Sequence, residues 1–321
     1  MSTLVVLQAA LDGEVGRFPE KRVADAVRGL IERYRTGVDP GDVVLDADLA
    51  AVAYAAYRMP ATHAAVASVL GRVADLAPGF APARMVDVGG GTGAAVWAAA
   101  ERWPSLTDVT VLDRSGPALT LGARLAKGAG LPDVHWRRAA IGTDIPDADV
   151  ATLSYVLSEL TEAARADVVR AMAAKAGLVV VVEPGTPAGY ERVLAARDEL
   201  LAAGMRVLAP CPHDDACPVP RGQDWCHFVA RLGRSAVHRR VKTATLGHED
   251  EKFSYVAATR AEWPPAPGRV VRHPLKRKGL VALRVCGPDG LVDTTVTRRD
   301  PGAYRSARDT AWGDPWPDPA G

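Results

Sequence analysis

The sequence has no long apolar segment that could serve as a signal peptide or a membrane span. Its N-terminus, MSTLVVLQAALDGE, contains a short apolar run with no basic residue ahead of it. We therefore expect a protein that is not attached to a membrane and is located in the cytoplasm. With 321 residues and 48% hydrophobic content, the chain can form one large or two modest domains with a buried core.

Cysteine is scarce, yet its distribution is uneven. Of the four cysteines, Cys211, Cys217 and Cys226 lie close together in the sequence, and Cys286 follows in the apolar run LRVCG. Structural free thiols would be scattered and inert, whereas this concentration favours a metal site. A pair of disulfides or four ordinary thiols are the alternatives, and the lack of a secretory signal disfavours the disulfides.

The spacing of the cysteines bears on the identity of the metal. The short C-x2-C pair that is typical of zinc knuckles is absent. Iron-sulfur clusters accept irregular spacings and a shell made of thiolates alone, so the spacing favours iron-sulfur without excluding zinc. His213 and His227 lie in the same stretch, and we expect them to donate hydrogen bonds to the ligands rather than to bind the metal.

A glycine-rich turn in residues 84–93, RMVDVGGGTG, follows a short apolar strand and precedes a helical segment. Gly89, Gly91 and Gly93 let the backbone pass close to a ligand, and the start of the helix presents unpaired N–H groups to negative charge. A second strand, VTVLD, ends at Asp113, where a carboxylate could hold a ribose diol. The pattern predicts a nucleotide-binding site.

Two features of this turn bear on which ligand it binds. Asp87 stands two residues before the first glycine, and the glycines follow a G-x-G-x-G spacing. Both features match S-adenosylmethionine-binding turns better than they match the strict G-x-G-x-x-G motif of dinucleotide-binding folds. We therefore predict S-adenosylmethionine as a cofactor and keep an NAD-dependent oxidoreductase as a less favoured alternative.

Strand and helix signals alternate from the glycine turn to about residue 203. This alternation predicts an α/β fold with a doubly wound, Rossmann-like parallel sheet and helices on both faces. Ligands of such sheets bind at the carboxyl ends of the strands. The rule nominates Ser154 and Tyr155 as cofactor contacts beside Asp113, and it also points to Glu159 and Glu183. Each of these residues could instead cap or orient its own turn.

The chain divides into four predicted regions. Residues 1–80 form a helical cap, with a helix start expected at Pro60, and residues 81–210 form the S-adenosylmethionine-binding core. Residues 211–310 contain the inserted cysteine loop, the last strand of the core and a basic β-hairpin that turns at residues 288–290. The proline-rich tail, residues 311–321, is expected to be disordered.

The charge of the chain is distributed asymmetrically. Residues 1–204 carry 20 Lys and Arg against 25 Asp and Glu, a net charge of −5, whereas residues 205–310 carry 19 against 11, a net charge of +8. A basic half that holds the cysteine loop favours a polyanionic partner, and we expect RNA. The predicted RNA-binding residues are Arg231, Arg234, Arg239, Arg240, Lys242, Arg272, Lys276, Arg277 and Lys278.

Eight segments spread over residues 57–279 carry a family resemblance. They are YRMPAT, VDVGGGTG, SYVLSEL, VEPGTPAG, CPHDDACP, WCHF, LGHEDEKFSY and HPLKRKG. In these segments the chain resembles the methyltransferase-like assembly family of the small ribosomal subunit, known from mitochondria and with bacterial relatives. The cysteine segment is the most specific of them. One departure is Ser158, where the family pattern has asparagine.

The resemblance implies a fold, two cofactors and a partner. The fold is that of S-adenosylmethionine-dependent methyltransferases, and a 4Fe-4S cluster is bound by Cys211, Cys217, Cys226 and Cys286. The partner is the small (30S) ribosomal subunit, with its 16S rRNA and ribosomal proteins, during assembly, and we expect a monomer. Two classes of function fit this description: a non-catalytic assembly factor that docks on RNA, and an enzyme that methylates ribosomal RNA or protein.

The sequence identifies no catalytic residue, because methyl transfer from a sulfonium needs mainly alignment and desolvation. With four cysteines committed to the cluster, none remains as a nucleophile for carbon-5 methylation of a pyrimidine. The fourth strand ends in LSY rather than in an asparagine-proline-proline-aromatic run, which disfavours amine methylation of a base. A radical mechanism is also disfavoured, since four cysteines close the shell of the cluster and C-x3-C-x2-C is absent.

Overall fold

The computed structural model describes residues 3–36, 47–233, 248–264 and 266–317. Three helices come first: α1 (Thr3–Val15), α2 (Glu20–Thr36) and α3 (Asp48–Leu76). Leu7 and Leu11 of α1 share a buried cluster with Met59 of α3 and with Trp97, which lies in the first helix after the glycine turn. The N-terminal helices therefore pack on the helices of the sheet rather than forming a core of their own.

The main sheet contains eight strands of the described chain, in the order β3-β2-β1-β4-β5-β8-β6 with β7 paired to β8. Strands β1 to β5 are parallel, and β8 runs antiparallel to β5, β6 and β7. The predicted doubly wound, Rossmann-like α/β sheet is confirmed. The strands are β1 (Arg84–Val88), β2 (Asp108–Asp113), β3 (Asp133–Arg138), β4 (Ala148–Ser154), β5 (Ala176–Pro184), β6 (Arg206–Ala209), β7 (Phe228–Gly233) and β8 (His248–Thr259).

Helices cover both faces of this sheet. They are α4 (Ala94–Arg102), α5 (Gly116–Ala126), α6 (Glu162–Lys175) and α7 (Pro187–Ala202), and a short 3-10 turn spans Leu157–Glu159. The central strand β5 has the sequence AGLVVVVEP, and its apolar residues are buried on both faces. Such a continuous apolar run is typical of a parallel strand between two helical layers. One layer consists of α3, α4 and α5, and the other of α6 and α7.

The helix start predicted at Pro60 is wrong. Pro60 lies inside α3, a single helix of 29 residues. A proline in a helix interior costs about 3 kcal/mol, because it removes one backbone hydrogen bond and crowds the preceding turn. The helix continues through it because the flanking turns are buried, with Met59 and Ala61 almost fully excluded from solvent. Burial along the whole helix outweighs the local preference of one residue.

The C-terminal region forms a second, smaller sheet of β9 (Arg269–Val270), β10 (Leu275–Arg277), β11 (Leu280–Gly287) and β12 (Gly290–Thr297). Strands β11 and β12 form a hairpin whose turn joins Gly287 to Gly290, where the sequence predicts one. A last helix, α8 (Pro301–Asp309), packs Tyr304 and Ala307 against this sheet.

The disorder predicted for residues 311–321 is wrong for residues 311–317, and residues 318–321 lie outside the described residues. Val270 N–H donates to the Asp314 carbonyl at 3.0 Å, and Gly313 N–H donates to the Val270 carbonyl at 2.8 Å. The Trp312 ring also meets His227 edge-on at 4.8 Å between centroids. Composition alone misled the prediction, because the tail pairs with β9 and packs the partly buried Trp312 against the core.

Candidate functional site

A pocket opens at the carboxyl ends of β1, β2 and β4, the edge at which doubly wound sheets bind ligands. Six of the seven residues predicted to bind the cofactor line it. They are Asp87, Gly89, Gly91, Asp113, Ser154 and Tyr155. The seventh, Gly93, does not line the pocket and instead precedes the first residue of α4.

Two of the glycines are required by close approach of their surroundings. Gly89 has a positive φ of 67°, and a Cβ atom there would lie 2.5 Å from a methyl group of Val156. Gly93 has a φ of 84°, and a Cβ atom there would lie 2.6 Å from the ring of Trp136. A larger residue at either position would be strained and would push apart the turn that forms the floor of the pocket.

Asp113 fixes the glycine turn and remains able to bind a ligand. Its Oδ2 accepts a hydrogen bond from Gly91 N–H at 2.9 Å, and its Oδ1 accepts one from Ser115 N–H at 2.7 Å. Burial raises the pKa of Asp113, and these backbone donors act in the opposite direction. Each carboxylate oxygen can accept a further hydrogen bond, so the side chain could hold two adjacent hydroxyl groups.

Asp87 is a buried carboxyl group beside the pocket. Its Oδ1 accepts a hydrogen bond from the Thr152 hydroxyl at 2.6 Å. Burial raises the pKa of Asp87 to about 7; the hydrogen bond from Thr152 lowers it, and the nearby charge of Asp113 raises it. A cationic ligand would favour the ionised form of Asp87, since opposite charge stabilises a carboxylate.

The rim of the pocket contains a charged group that the sequence reading did not find. Arg58 of α3 donates to Glu251 of β8 at 2.9 Å, and the Tyr155 hydroxyl donates to the same Glu251 oxygen at 2.9 Å. The Arg58 guanidinium also lies over the Tyr155 ring, 5.3 Å from its centroid. Tyr155 adopts a positive φ of 63°, which is rare for a residue other than glycine. The contacts with Glu251 and Arg58 hold the Tyr155 side chain at the rim of the pocket.

The other residues nominated at the strand ends lie in different surroundings. Glu159 lines the pocket and pairs with Arg114 at 3.0 Å, and its burial raises its pKa. Glu183 is fully buried away from the pocket lining, where it accepts from Leu157 N–H at 3.0 Å and from Arg192 at 2.6 Å. Glu183 thus holds the 3-10 turn in place. Ser158 is exposed and does not line the pocket.

The four cysteines line a second pocket, beside α7 and β8. They come from three segments of the chain: Cys211 and Cys217 from the loop after β6, Cys226 from the approach to β7, and Cys286 from β11. All four are free thiols. Among the described residues, no three His, Cys, Asp or Glu side chains form a group that could hold a metal ion as placed.

Burial makes the thiols of this pocket weak acids. It raises the pKa of Cys211 to about 11 and that of Cys286 to about 12, and it raises the pKa of Cys226 well above its usual value. Negative charge on the neighbouring cysteines raises each of them further, whereas the positive charges of Arg197 and Arg269 lower the values for Cys211 and Cys286. Four thiolates in this pocket would need bound positive charge.

The two histidines of the cysteine segment are placed differently. His213 Nε2 lies 3.7 Å from the sulfur of Cys286. His227 stacks on the ring of Trp225, and its Nδ1 contacts the Trp225 carbonyl at 3.1 Å. It does not line the cysteine pocket.

Comparisons with known proteins decide the family. A family model described as mitochondrial small ribosomal subunit Rsm22 matches residues 48–317. The chain belongs to the Rsm22 family. It is 32% identical over 288 residues to the human ribosome assembly protein METTL17, mitochondrial, covering 81% of this chain and 61% of the human protein.

Other relatives of this Rsm22 family member are more distant. The Rsm22-cox11 tandem protein 2, mitochondrial, of Schizosaccharomyces pombe is 28% identical over 188 residues, which cover 44% of this chain and 24% of the yeast protein. The chain thus spans about three fifths of the human relative and a quarter of the yeast one. Magnesium protoporphyrin IX methyltransferase from Synechocystis aligns with a TM-score of 0.43 and 12% identity, over 63% of this chain and 84% of that protein.

The predicted RNA-binding residues of the Rsm22 family member fall into three groups. Lys276, Arg277 and Lys278 are exposed on and beside β10. Arg231 is exposed but paired with Asp250 at 2.7 Å, and Arg272 is partly buried and already donates to Asp224. The remaining residues, Arg234, Arg239, Arg240 and Lys242, lie outside the described residues.

The basic surface of the small sheet extends beyond the predicted residues. Arg298 follows β12 and lies near Gly279, so it is close to Lys278 in space. The Tyr304 hydroxyl accepts a hydrogen bond from Gly279 N–H at 3.1 Å, which brings α8 to the same place. Three further exposed arginines lie on or next to this helix: Arg299, Arg305 and Arg308. These residues were missed because single arginines in a short helix give no sequence signal.

Helix α3 supplies further pocket residues that the sequence reading missed. Tyr54, Met59 and Thr62 of α3 all line the pocket at the strand ends. The segment YRMPAT contains part of this wall and does carry the family resemblance. Reading Pro60 as a helix start hid the fact that one continuous helix passes over the glycine turn.

None of the described helices is long and apolar enough to cross a membrane.

Proposed function

We propose that this protein is an assembly or maturation factor of the small (30S) ribosomal subunit with a methyltransferase fold, binding S-adenosylmethionine, a 4Fe-4S cluster and ribosomal RNA. The observation that carries the proposal is the meeting of four cysteines from three segments in one pocket. This pocket belongs to a chain whose human relative is named as a ribosome assembly protein. We keep the predicted cytoplasmic location and monomeric state, although the matching curated relatives are mitochondrial by name.

The first pocket supports binding of S-adenosylmethionine. The carboxylate of Asp113 is oriented by two backbone N–H groups and suits a ribose diol. Asp87 would favour a cationic ligand through its charge. The Ser154 hydroxyl is buried at the pocket, with no hydrogen-bond partner among the described residues, so it is available to a polar group of the ligand. The antiparallel β8 between β5 and β6 also departs from the dinucleotide-binding strand order, which disfavours the NAD alternative.

The donor set of the second pocket supports a cluster. Four cysteine thiols from three segments of the chain line it. A shell made of thiolates alone, with irregular spacing in the sequence, is typical of iron-sulfur clusters. Cys211, Cys217, Cys226 and Cys286 would hold the cluster, which would supply positive iron charge and join the cysteine loop to β11.

A test of the cluster is the metal content of anaerobically purified protein. We expect a brown protein with about four irons per chain and a matching amount of sulfide. Stoichiometric zinc under these conditions would rule out the cluster. The matched variant is Cys226→Ser, which should lose most of the iron.

Cosedimentation with 30S particles tests the role in assembly. We expect the wild type to sediment with the particles and Cys226→Ser to sediment less, because the cluster would join the cysteine loop to the basic small sheet through Cys286. An active methyltransferase is the alternative, favoured by the open pocket at the strand ends. Methylation of ribosomal RNA or protein in the presence of S-adenosylmethionine distinguishes this enzyme from a non-catalytic assembly factor.

Calorimetry separates both of these functions from an oxidoreductase. We expect the protein to bind S-adenosylmethionine and not NADH, the control ligand.

A further inference from the structure

Two buried arginines line the cysteine pocket. Arg197 lies on α7 with 3% of its surface exposed, and Arg269 lies on β9 with 2% exposed. A buried charge is costly unless a group of opposite charge or several hydrogen bonds compensate it. The partners of these two side chains therefore indicate what the pocket is built to hold.

Both arginines donate hydrogen bonds to neutral backbone carbonyls. Arg197 donates to the carbonyls of His213 and Asp215, at 3.1 and 2.6 Å. Arg269 donates to the carbonyls of Pro210 and Gly313, at 3.2 and 2.9 Å. These contacts hold the guanidinium groups in place without neutralising them.

Among the described residues, almost no carboxylate pairs with these two arginines. The only carboxylate paired with Arg197 among the described residues is Asp198, at 3.7 Å and largely exposed to solvent. Arg269 has no ion pair within the described part of the chain. The Nε atom of Arg197 and one Nη atom of Arg269 are buried and have no hydrogen-bond acceptor there. Both side chains thus have unused donors and uncompensated charge.

We propose that Arg197 and Arg269 are the charge-compensating residues of the iron-sulfur site, offsetting the negative charge of the thiolates and donating N–H groups to its sulfur atoms. The inference rests on the proposed cluster and assigns two residues that lie outside its ligand set. A four-iron core of charge about +2 with four thiolates has a net charge of about −2, which two guanidinium groups would balance. Without an anion in the pocket, the two buried guanidinium groups would repel each other.

Helix α7 presents more than one donor to this pocket. Tyr190 lies seven residues before Arg197, which places both on the same face of the helix. The Tyr190 hydroxyl lies 3.2 Å from the sulfur of Cys217. One face of α7 therefore supplies a neutral donor and a charged one. Replacing each in turn separates the effect of a hydrogen bond from the effect of a positive charge.

The experiment compares Arg197→Met and Arg269→Met, singly and together, with the wild type as full-length, anaerobically purified protein. The midpoint potential of the cluster and the rate of iron loss to a chelator are measured. We expect a more negative potential in each variant, because a nearby positive charge favours addition of an electron. Iron retention should fall by about 10- to 100-fold, the usual loss when a partner of a metal ligand is removed.

Two controls make the result specific. Arg206→Met removes an exposed arginine paired with Asp214 in the same region and should leave both readouts unchanged. Tyr190→Phe should speed iron loss with a smaller change in potential, because no charge is removed. If the methionine variants do not fold, Arg197→Gln and Arg269→Gln drop the same charge and give the same readouts. Affinity for S-adenosylmethionine reports whether the sheet is intact in every variant.

Two outcomes separate this inference from the cluster itself. A wild type that carries zinc or no metal removes the cluster and this role with it. A double variant that keeps its iron, with the potential and the chelator resistance of the wild type, overturns the charge-compensating role alone. In that case the cluster stands, and the two arginines serve only to hold the backbone of the loop.

Discussion

Asp113 fixes the glycine turn at the pocket where we propose that S-adenosylmethionine binds. Its oxygens hold the N–H groups of Gly91 and Ser115, and the same oxygens remain available to a ligand. Loss of a charged hydrogen-bond acceptor typically costs about 1.5 to 3 kcal/mol. Asp113→Ala should therefore weaken binding of S-adenosylmethionine at least tenfold by calorimetry, through lost ligand contacts and a loosened turn.

Asp113→Asn is the matched control for that prediction. It keeps the size of the side chain and one acceptor oxygen, so we expect an intermediate affinity. Equal affinity of the alanine variant and the wild type would mean that the ribose is not bound at the end of β2.

The raised pKa of Asp87 gives a second prediction, on pH dependence. The carboxyl group has a pKa of about 7 in the folded protein and an ordinary value of 3.8, so the folded state binds more protons between these values. Its contribution to the free energy of unfolding is complete below about pH 4 and is lost as the pH rises through 7. Without ligand, the wild type should lose stability over this range relative to Asp87→Asn.

Urea unfolding of both proteins at pH 5 and pH 8 measures this difference. Thr152→Val is a useful comparison, because it removes the hydrogen bond that lowers the pKa of Asp87 and should extend the loss of stability to higher pH. A stability gap between wild type and Asp87→Asn that is the same at both pH values would contradict the assignment.

Local sequence predicted the pocket-lining Asp87, Asp113, Gly89 and Gly91, because the strand, the turn and these residues lie within about thirty residues of one another. The same reasoning could not find the rim, since Arg58 and Glu251 are 193 residues apart and meet only after the sheet forms. It likewise could not show that Glu183 supports a turn instead of binding a ligand. What decides between these roles is the direction of a side chain at a strand end.

At the level of elements, β8 connects the two pockets. Its residue Glu251 holds Tyr155 at the rim of the cofactor pocket, and the hydroxyl of Ser254 donates to the Cys226 carbonyl at 2.8 Å. The end of β5 makes a second connection, because the Trp225 indole N–H donates to the Gly185 carbonyl at 2.9 Å. Strand β8 and the end of β5 therefore contact residues of both pockets.

The cysteine loop and β11 give a third prediction. A cluster on Cys226 and Cys286 would close a loop of 59 residues. On the cross-link estimate, closure of a loop of that size restricts the unfolded chain by about 4 kcal/mol. Cys286→Ser should therefore unfold at a lower temperature than the iron-loaded wild type in anaerobic thermal scans.

The control for this prediction is the metal-free form of both proteins. After chelation the wild type and Cys286→Ser should unfold at similar temperatures, because serine replaces a single buried sulfur. If the loaded wild type shows no advantage over Cys286→Ser, the cluster does not join the loop to the small sheet.

For the whole molecule, the order of strands and helices was predictable, because apolar runs and glycine turns alternate along the chain. The sequence did not predict that the tail completes the small sheet, since its hydrogen bonds join β9 to residues 313 and 314 through backbone groups. Nor did it predict the long α3, where packing along the whole helix outweighs one proline. Both misses come from giving local composition priority over tertiary contacts.

The distribution of charge over the molecule carries the last prediction. Residues 1–204 have a net charge of −5 and residues 205–310 a net charge of +8. The exposed Lys276, Arg277 and Lys278 have no ion-pair partner within the described chain, and Arg298 lies close to them. An RNA backbone would be repelled by the first half and attracted to this surface.

Replacing Lys276, Arg277 and Lys278 with alanine should weaken binding to 30S particles and flatten its dependence on salt. Each phosphate contact contributes about 0.7 to 0.9 to the slope of log affinity against log salt, so the slope should fall by about two to three units. The control is an equal loss of charge on α2, by Lys21→Ala, Arg22→Ala and Arg28→Ala together. That triple variant should keep the wild-type slope, and both should keep their affinity for S-adenosylmethionine. If instead the α2 variant flattens the slope and the β10 variant does not, the RNA lies against the N-terminal helices, and the positive charge of the small sheet serves another contact.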